Sequence, residues 1–229
     1  MSHSNVEFCQ LAYEGKTLEI EAKLNANSEL VYKVDQDGRS ALHWASSSGK
    51  TDVVKLLLSN NAKVDSVDDL EWTALMIATS GGKKNVVELL VRRGADVNKV
   101  NRTGQCALHY AASKDHYEIA EYLLDNGAHP TVGDHINSTP LHRATSKGLI
   151  KMVQLLLVHH AEISFSDTEG NTALHIACQD EVLDVAKLLI EHGADINKMN
   201  KDEKTPLDYV KSKTRDQLIL IHQRSIIPT

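Results

Sequence analysis

A period of thirty-three residues runs through this chain, and self-similarity of that length decides a fold before any local propensity can. A four-residue phrase recurs as Ser40-Ala41-Leu42-His43, Thr73-Ala74-Leu75-Met76, Cys106-Ala107-Leu108-His109, Thr139-Pro140-Leu141-His142, Thr172-Ala173-Leu174-His175 and Thr205-Pro206-Leu207-Asp208. Each copy starts thirty-three residues after the last. One step further back lands on Glu7-Phe8-Cys9-Gln10, where the phrase is eroded but Leu11-Ala12-Tyr13-Glu14-Gly15 still fits, so the first unit is degenerate. Leu24, Leu57, Leu90, Leu123, Leu156 and Leu189 keep the same step, as do Ala62, Ala95, Ala128, Ala161 and Ala194. Nothing in that run has been inserted or deleted.

Within one unit, Thr51-Asp52-Val53-Val54-Lys55-Leu56-Leu57-Leu58 reads as an amphipathic helix with polar residues at its start, and it follows a shorter helix from near Ala41. Gly94, Gly127 and Gly193 fall just past the second helix, where a left-handed stop favours glycine, and Asn61 and His160 occupy that place in other units. Gly38, Gly104 and Gly170 mark the following turn, with Asp35, Asn101 and Asp167 three residues earlier to hydrogen-bond its backbone. Asn137 tolerates the same backbone. Glu71 and Glu203 do so less readily, so those two turns are expected to differ in shape.

The thirty-three-residue step with its Thr-Pro-Leu-His phrase resembles the ankyrin repeat, from about residue 5 to about residue 221. The resemblance implies an all-α ankyrin-repeat solenoid of seven helix-turn-helix repeats with β-turn fingers, forming one curved domain over residues 1–229. The repeats fall near 5–36, 37–69, 70–102, 103–135, 136–168, 169–201 and 202–229. The first and last act as caps. The fingers and first helices of such a stack line a concave face that binds protein.

Composition closes off other classes. A formal charge of −6 gives no electrostatic reason to expect a nucleic-acid partner. No stretch is long and apolar enough to span a bilayer, and the first residues lack the basic-then-apolar order of a signal peptide, so no membrane and a cytoplasmic and nuclear location are expected. Cys9, Cys106 and Cys178 form neither a zinc knuckle nor a disulfide framework and read as reduced, packed thiols. The histidines at 43, 109, 142 and 175 recur once per unit, which makes them braces of the stack rather than metal ligands or bases. His159 and His160 are adjacent at a helix end and diverge. No nucleophile elbow or phosphate loop is present, so no catalysis, cofactor or metal is expected.

Variable positions between the repeated phrases face the groove. Asp37, Arg39, Asp69 and Trp72 lie in the early, largely acidic half, and Arg102, Lys114 and Lys147 in the later, basic half, with Trp44, Tyr110 and Arg143 close by. The non-consensus stretches Asp35-Gln36-Asp37, Trp44, Trp72 and Tyr110-Ala111-Ala112-Ser113-Lys114 are similar to the gankyrin family, chaperones of proteasome regulatory-particle assembly. That resemblance implies a monomer binding the C-terminal domain of one ATPase subunit of the proteasome base, with contacts on Asp37, Arg39, Asp69, Trp72 and Lys114. It also brings cell-cycle regulators as a second partner class, through a Leu-x-Cys-x-Glu motif that reads Ile176, Cys178 and Asp180 here. Both outer positions depart from it. An ankyrin-type regulator or inhibitor of a kinase or transcription factor is the alternative, because fold alone does not choose between them.

Overall fold

The computed structural model describes residues 3–226, so Met1, Ser2 and residues 227–229 of the seventh expected repeat lie outside it. Helices come in pairs: α1 (His3–Glu14) and α2 (Thr17–Ala26), α3 (Ala41–Ser48) and α4 (Thr51–Ser59), α5 (Ala74–Ser80) and α6 (Lys84–Arg92). They continue as α7 (Ala107–Ser113) and α8 (Tyr117–Asp125), α9 (Pro140–Ser146) and α10 (Ile150–Val158), α11 (Ala173–Gln179) and α12 (Leu183–Glu191), then α13 (Ser212–Ile226). Both ends depart from the repeat. Ser28–Tyr32 forms a 3-10 turn after α2, and in the last repeat the first helix is reduced to a 3-10 turn, Pro206–Tyr209, because Val210 is already extended.

Two compact units emerge, one of Met1–Ala111 with Glu118–Ala128 and one of Ala112–Tyr117 with His129–Thr229. In the first, α3 packs between α1 and α5, and α4 between α2 and α6. In the second, α9 packs on α11, α10 on α12, and α13 covers α12. The stepped leucines are the reason. Leu57 and Leu90 in the first unit, and Leu156 and Leu189 in the second, are fully buried, each stabilising its unit by about 2 kcal/mol through lost apolar surface. Cys9, Cys106 and Cys178 are buried as well, and burial pushes the thiols of Cys9 and Cys178 up to about 12.

The repeated histidine is the cross-brace that the period implies. His43 Nδ1 accepts from the Ser40 N–H, so its proton sits on Nε2, which donates to the carbonyl of Ser66 at the end of its own repeat and to that of Trp72 in the next, both at 3.1 Å. His142 does the same between Thr139 and the Asn171 carbonyl, and His175 between Thr172 and the Lys204 carbonyl. In the first unit Cys106 takes the Ser/Thr place and donates its N–H to His109 Nδ1. Burial pulls the pKa of His43, His142 and His175 below the usual imidazole range, which keeps this neutral tautomer.

Between helix pairs the chain forms short hairpin fingers, closed by bridges such as Val34 to Ser40, Val67 to Thr73 and Ser166 to Thr172. Fingers of one unit are stitched tip to tip. In the first, Asp69 N–H donates to the Asp37 carbonyl and Arg102 N–H to the Leu70 carbonyl. In the second, Thr168 N–H donates to Ile136 and Lys201 N–H to Glu169. The expectation that Glu71 and Glu203 give differently shaped turns is not met. They sit at φ 63° and 57°, in the left-handed region that Gly38, Gly104 and Gly170 occupy, because the tip-to-tip bonds demand that backbone whatever the side chain.

Candidate protein-binding surface

Every finger is organised by an Asp or Asn that accepts two N–H groups of its own turn. Asp35 Oδ1 takes those of Asp37 and Arg39, and Asp68 Oδ1 takes those of Leu70 and Trp72. Asn101, Asp134, Asp167 and Asn200 repeat the geometry. In four of these fingers the remaining carboxylate or amide atom meets a large side chain nine residues on. Trp44 Nε1 donates to Asp35 Oδ2 at 2.7 Å, the Asn101 amide donates to the Tyr110 hydroxyl at 2.8 Å, Arg143 donates to Asp134 Oδ2, and the Asn200 amide donates to Tyr209 at 2.9 Å. The chemistry is matched, with donors opposite Asp and hydroxyls opposite Asn. Where position nine is Ile77, Asp68 Oδ2 is taken instead by Arg39 Nε from the preceding finger, at 3.1 Å.

In the first unit Asp37 and Asp69 are exposed at fingertips. The Asp69 carboxylate lies across Gly38, where a Cβ would come within 2.5 Å of its Oδ1, so that finger needs glycine for contact as well as for φ. Arg39 packs 5.5 Å above the Trp44 ring, and Tyr13 meets that ring edge-on at 5.9 Å. Trp72 is half-buried and stacked on Tyr110 with ring centroids 4.4 Å apart, rather than standing out as the large exposed anchor that its position suggests. The Tyr110 hydroxyl donates in turn to Gln105 Oε1, and Arg102 is exposed.

Lys114, Arg143 and Lys147 belong to the second unit. Lys114 and Lys147 are exposed. Arg143 is held against the nearly buried Asp134; burial pushes that carboxyl up, but the Arg143 hydrogen bond and the N–H groups of Ser138 and Ile136 outweigh it and hold the pKa below the usual carboxylate range. Of the motif positions Ile176, Cys178 and Asp180, Cys178 is fully buried inside α11.

Sequence reasoning identified these side chains without the tethers between them. The nine-residue spacing of Asp35 to Trp44, Asn101 to Tyr110, Asp134 to Arg143 and Asn200 to Tyr209 was the signal available for four of them. The Arg39 to Asp68 pair has no such regular spacing. Among the described residues no group of three or more His, Cys, Asp or Glu side chains is placed to hold a metal ion, and no helix is long and apolar enough to cross a membrane.

Comparison with known proteins places this architecture. The chain is 47% identical to the 26S proteasome non-ATPase regulatory subunit 10 of mouse and of human, and 48% identical to that of rat, over 62 residues in each case. Each match covers 27% of this chain and 27% of the relative, so the chain spans about a quarter of the length of the curated relatives it matches. The ankyrin repeat domain of Bcl-3, a member of the IkappaB protein family, is similar in structure with a TM-score of 0.85 at 26% identity, over 93% of this chain and 97% of that one. Family models for ankyrin repeats match residues 37–69, and for three-copy ankyrin repeats residues 60–134 and 141–216. With well over half its length so matched, and with the histidine cross-braces and stitched fingers in place, the chain belongs to the ankyrin-repeat family.

Proposed function

We propose that this ankyrin-repeat scaffold is a non-enzymatic chaperone for assembly of the proteasome regulatory particle, binding the C-terminal domain of a base ATPase subunit through its fingers and first helices. The observation that carries this reading is the 47% identity with proteasome regulatory subunit 10. Two features of the surface support it. The fingers of the first unit carry acidic tips, Asp37, Asp69 and Glu71, beside a fixed arginine and two aromatic clusters. The second unit presents exposed Lys114 and Lys147. Such a surface suits a folded partner with charges of both signs.

Calorimetric titration with the C-terminal domains of the base ATPases tests it. Arg39→Glu in the first unit and Lys114→Glu in the second should each weaken binding by more than about tenfold, since breaking one interfacial charge pair costs roughly 2–5 kcal/mol. Lys55→Glu and Lys187→Glu, on the outer helices α4 and α12, should leave affinity within about twofold. Failure of the wild-type chain to bind any base ATPase domain would sink the proposal. The fold-wide similarity to Bcl-3 favours a second reading, a regulator of a transcription factor or kinase. Capture of such a protein with no ATPase binding would select it.

A further inference from the structure

Arg39 and Arg143 read alike in the sequence, yet the structure holds them in opposite ways. Arg39 is gripped at its inner end only. Its Nε donates to Asp68 Oδ2 at 3.1 Å, and the Asp68 side chain is 2% exposed. Its Cζ lies over the Trp44 ring, 5.5 Å from the centroid, and that ring is pinned by the 2.7 Å bond to Asp35. No other partner for its side chain is found among the described residues, so the two terminal amino groups, a fork of four N–H donors, stay free on a side chain 35% exposed. Arg143 is gripped at its outer end. A terminal amino group is taken by Asp134, and Nε is buried with no partner.

We infer that Asp68 and Trp44 are positioning residues that hold Arg39 as a ready-made receptor for one carboxylate of a protein partner, whereas Arg143 serves its own finger and takes no part in binding. This rests on the reading of the surface as a protein-binding one. A guanidinium fork matches a carboxylate through two parallel N–H···O bonds, and fixing the long side chain beforehand removes the ordering cost that a free surface arginine meets on binding. The Arg39 fork is open and fixed at once. That of Arg143 has one prong occupied.

The chain's own repeats supply the test variants. Asn stands at the Asp68 position in Asn101 and Asn200, and Ile stands at the Trp44 position in Ile77 and Ile176, so Asp68→Asn and Trp44→Ile preserve the finger and the helix. Each should weaken binding of the ATPase C-terminal domain about five- to tenfold, the size of one side chain's ordering cost. In an Arg39→Gln background neither should matter further, and Arg143→Gln should leave affinity within about twofold. Losses that add fully to that of Arg39→Gln, or an Arg143→Gln loss as large as that of Arg39→Gln, would overturn the assignment. A measurement on the free full chain keeps it separate from the choice of partner. The Arg39 Nε–H signal in nitrogen-edited NMR should exchange slowly with water in the wild type and quickly in Asp68→Asn. Fast exchange in the wild type refutes the fixed clamp, whereas slow exchange without ATPase binding refutes only the proteasome reading.

Discussion

In the unit containing Met1–Ala111, finger carboxylates hold a tryptophan and an arginine and leave that arginine's fork open. In the unit containing His129–Thr229, Asp134 closes off Arg143, and Asn200 ties down Tyr209. The same divergence appears at the start of the outer helices. A hollow of about 290 Å³ in the first unit is lined by Gly49, Gly82, Lys83 and Lys84, and its equivalent of about 370 Å³ in the second by Gly148, Glu181, Val182 and Leu183. Lys83 methylenes cross Gly49 as Val182 crosses Gly148, where a Cβ would meet Cδ at 3.0 Å and Cγ1 at 2.7 Å respectively. Steric duty is therefore shared by the units while charge is not. A repeat imposes packing at its phrase positions and leaves chemistry free to differ between them.

The histidine brace offers the sharpest test of how alike the units are. His43 donates to two carbonyls, those of Ser66 in its own repeat and Trp72 in the next, whereas His142 donates to one, that of Asn171. His43→Ala should cost about 3 kcal/mol and His142→Ala about 2 kcal/mol in urea unfolding, because buried partners are left unsatisfied. Equal costs would mean that the second carbonyl bond contributes nothing.

Acid tests the same braces next. The folded pKa values of His43, His142 and His175 are depressed, so the unfolded chain binds protons that the native chain refuses. Stability is then complete above the unfolded imidazole pKa near 6.5 and falls as pH drops below it, by at most about 1.4 kcal/mol per pH unit for each histidine. Amide protection in α3, α9 and α11, after correction for the intrinsic slowing of exchange with acid, should fall between pH 7 and pH 5, and unchanged protection in all three would contradict the assignment.

A smaller effect checks the one respect in which the units are the same. Glu71→Gly in the first and Glu203→Gly in the second should each stabilise by about 0.5–1 kcal/mol, as both relieve a left-handed backbone that glycine adopts without strain. Thermal unfolding of the two single variants should agree. A gain in one alone would show that the two turns are not equivalent in energy.

Much of this was legible in the residues themselves. The step fixes which leucines are buried, why Thr, Pro, Leu and His recur, and where Gly94, Gly127 and Gly193 end helices, since a thirty-three-residue register admits one way of burying each face. Eroded ends were visible too, though not that Pro206–Tyr209 would tighten into a single 3-10 turn. The turn at Glu71 was misjudged because local preference argues against it, and the tip-to-tip hydrogen bonds that overrule that preference come from a neighbouring repeat.

By itself, then, the sequence determined the register: the repeat, its core and its braces follow from a thirty-three-residue period that carries the same phrase at each step. Tertiary structure alone decided what each charged side chain is free to do. Arg39 and Arg143 carry the same charge and fall at candidate binding positions, and only the placement of Asp68 and Asp134 leaves the first with an open fork and the second without one. Availability of a guanidinium depends on which of its nitrogens meets a carboxylate. That is set by distances across a finger stack, to which residue spacing along the chain is blind.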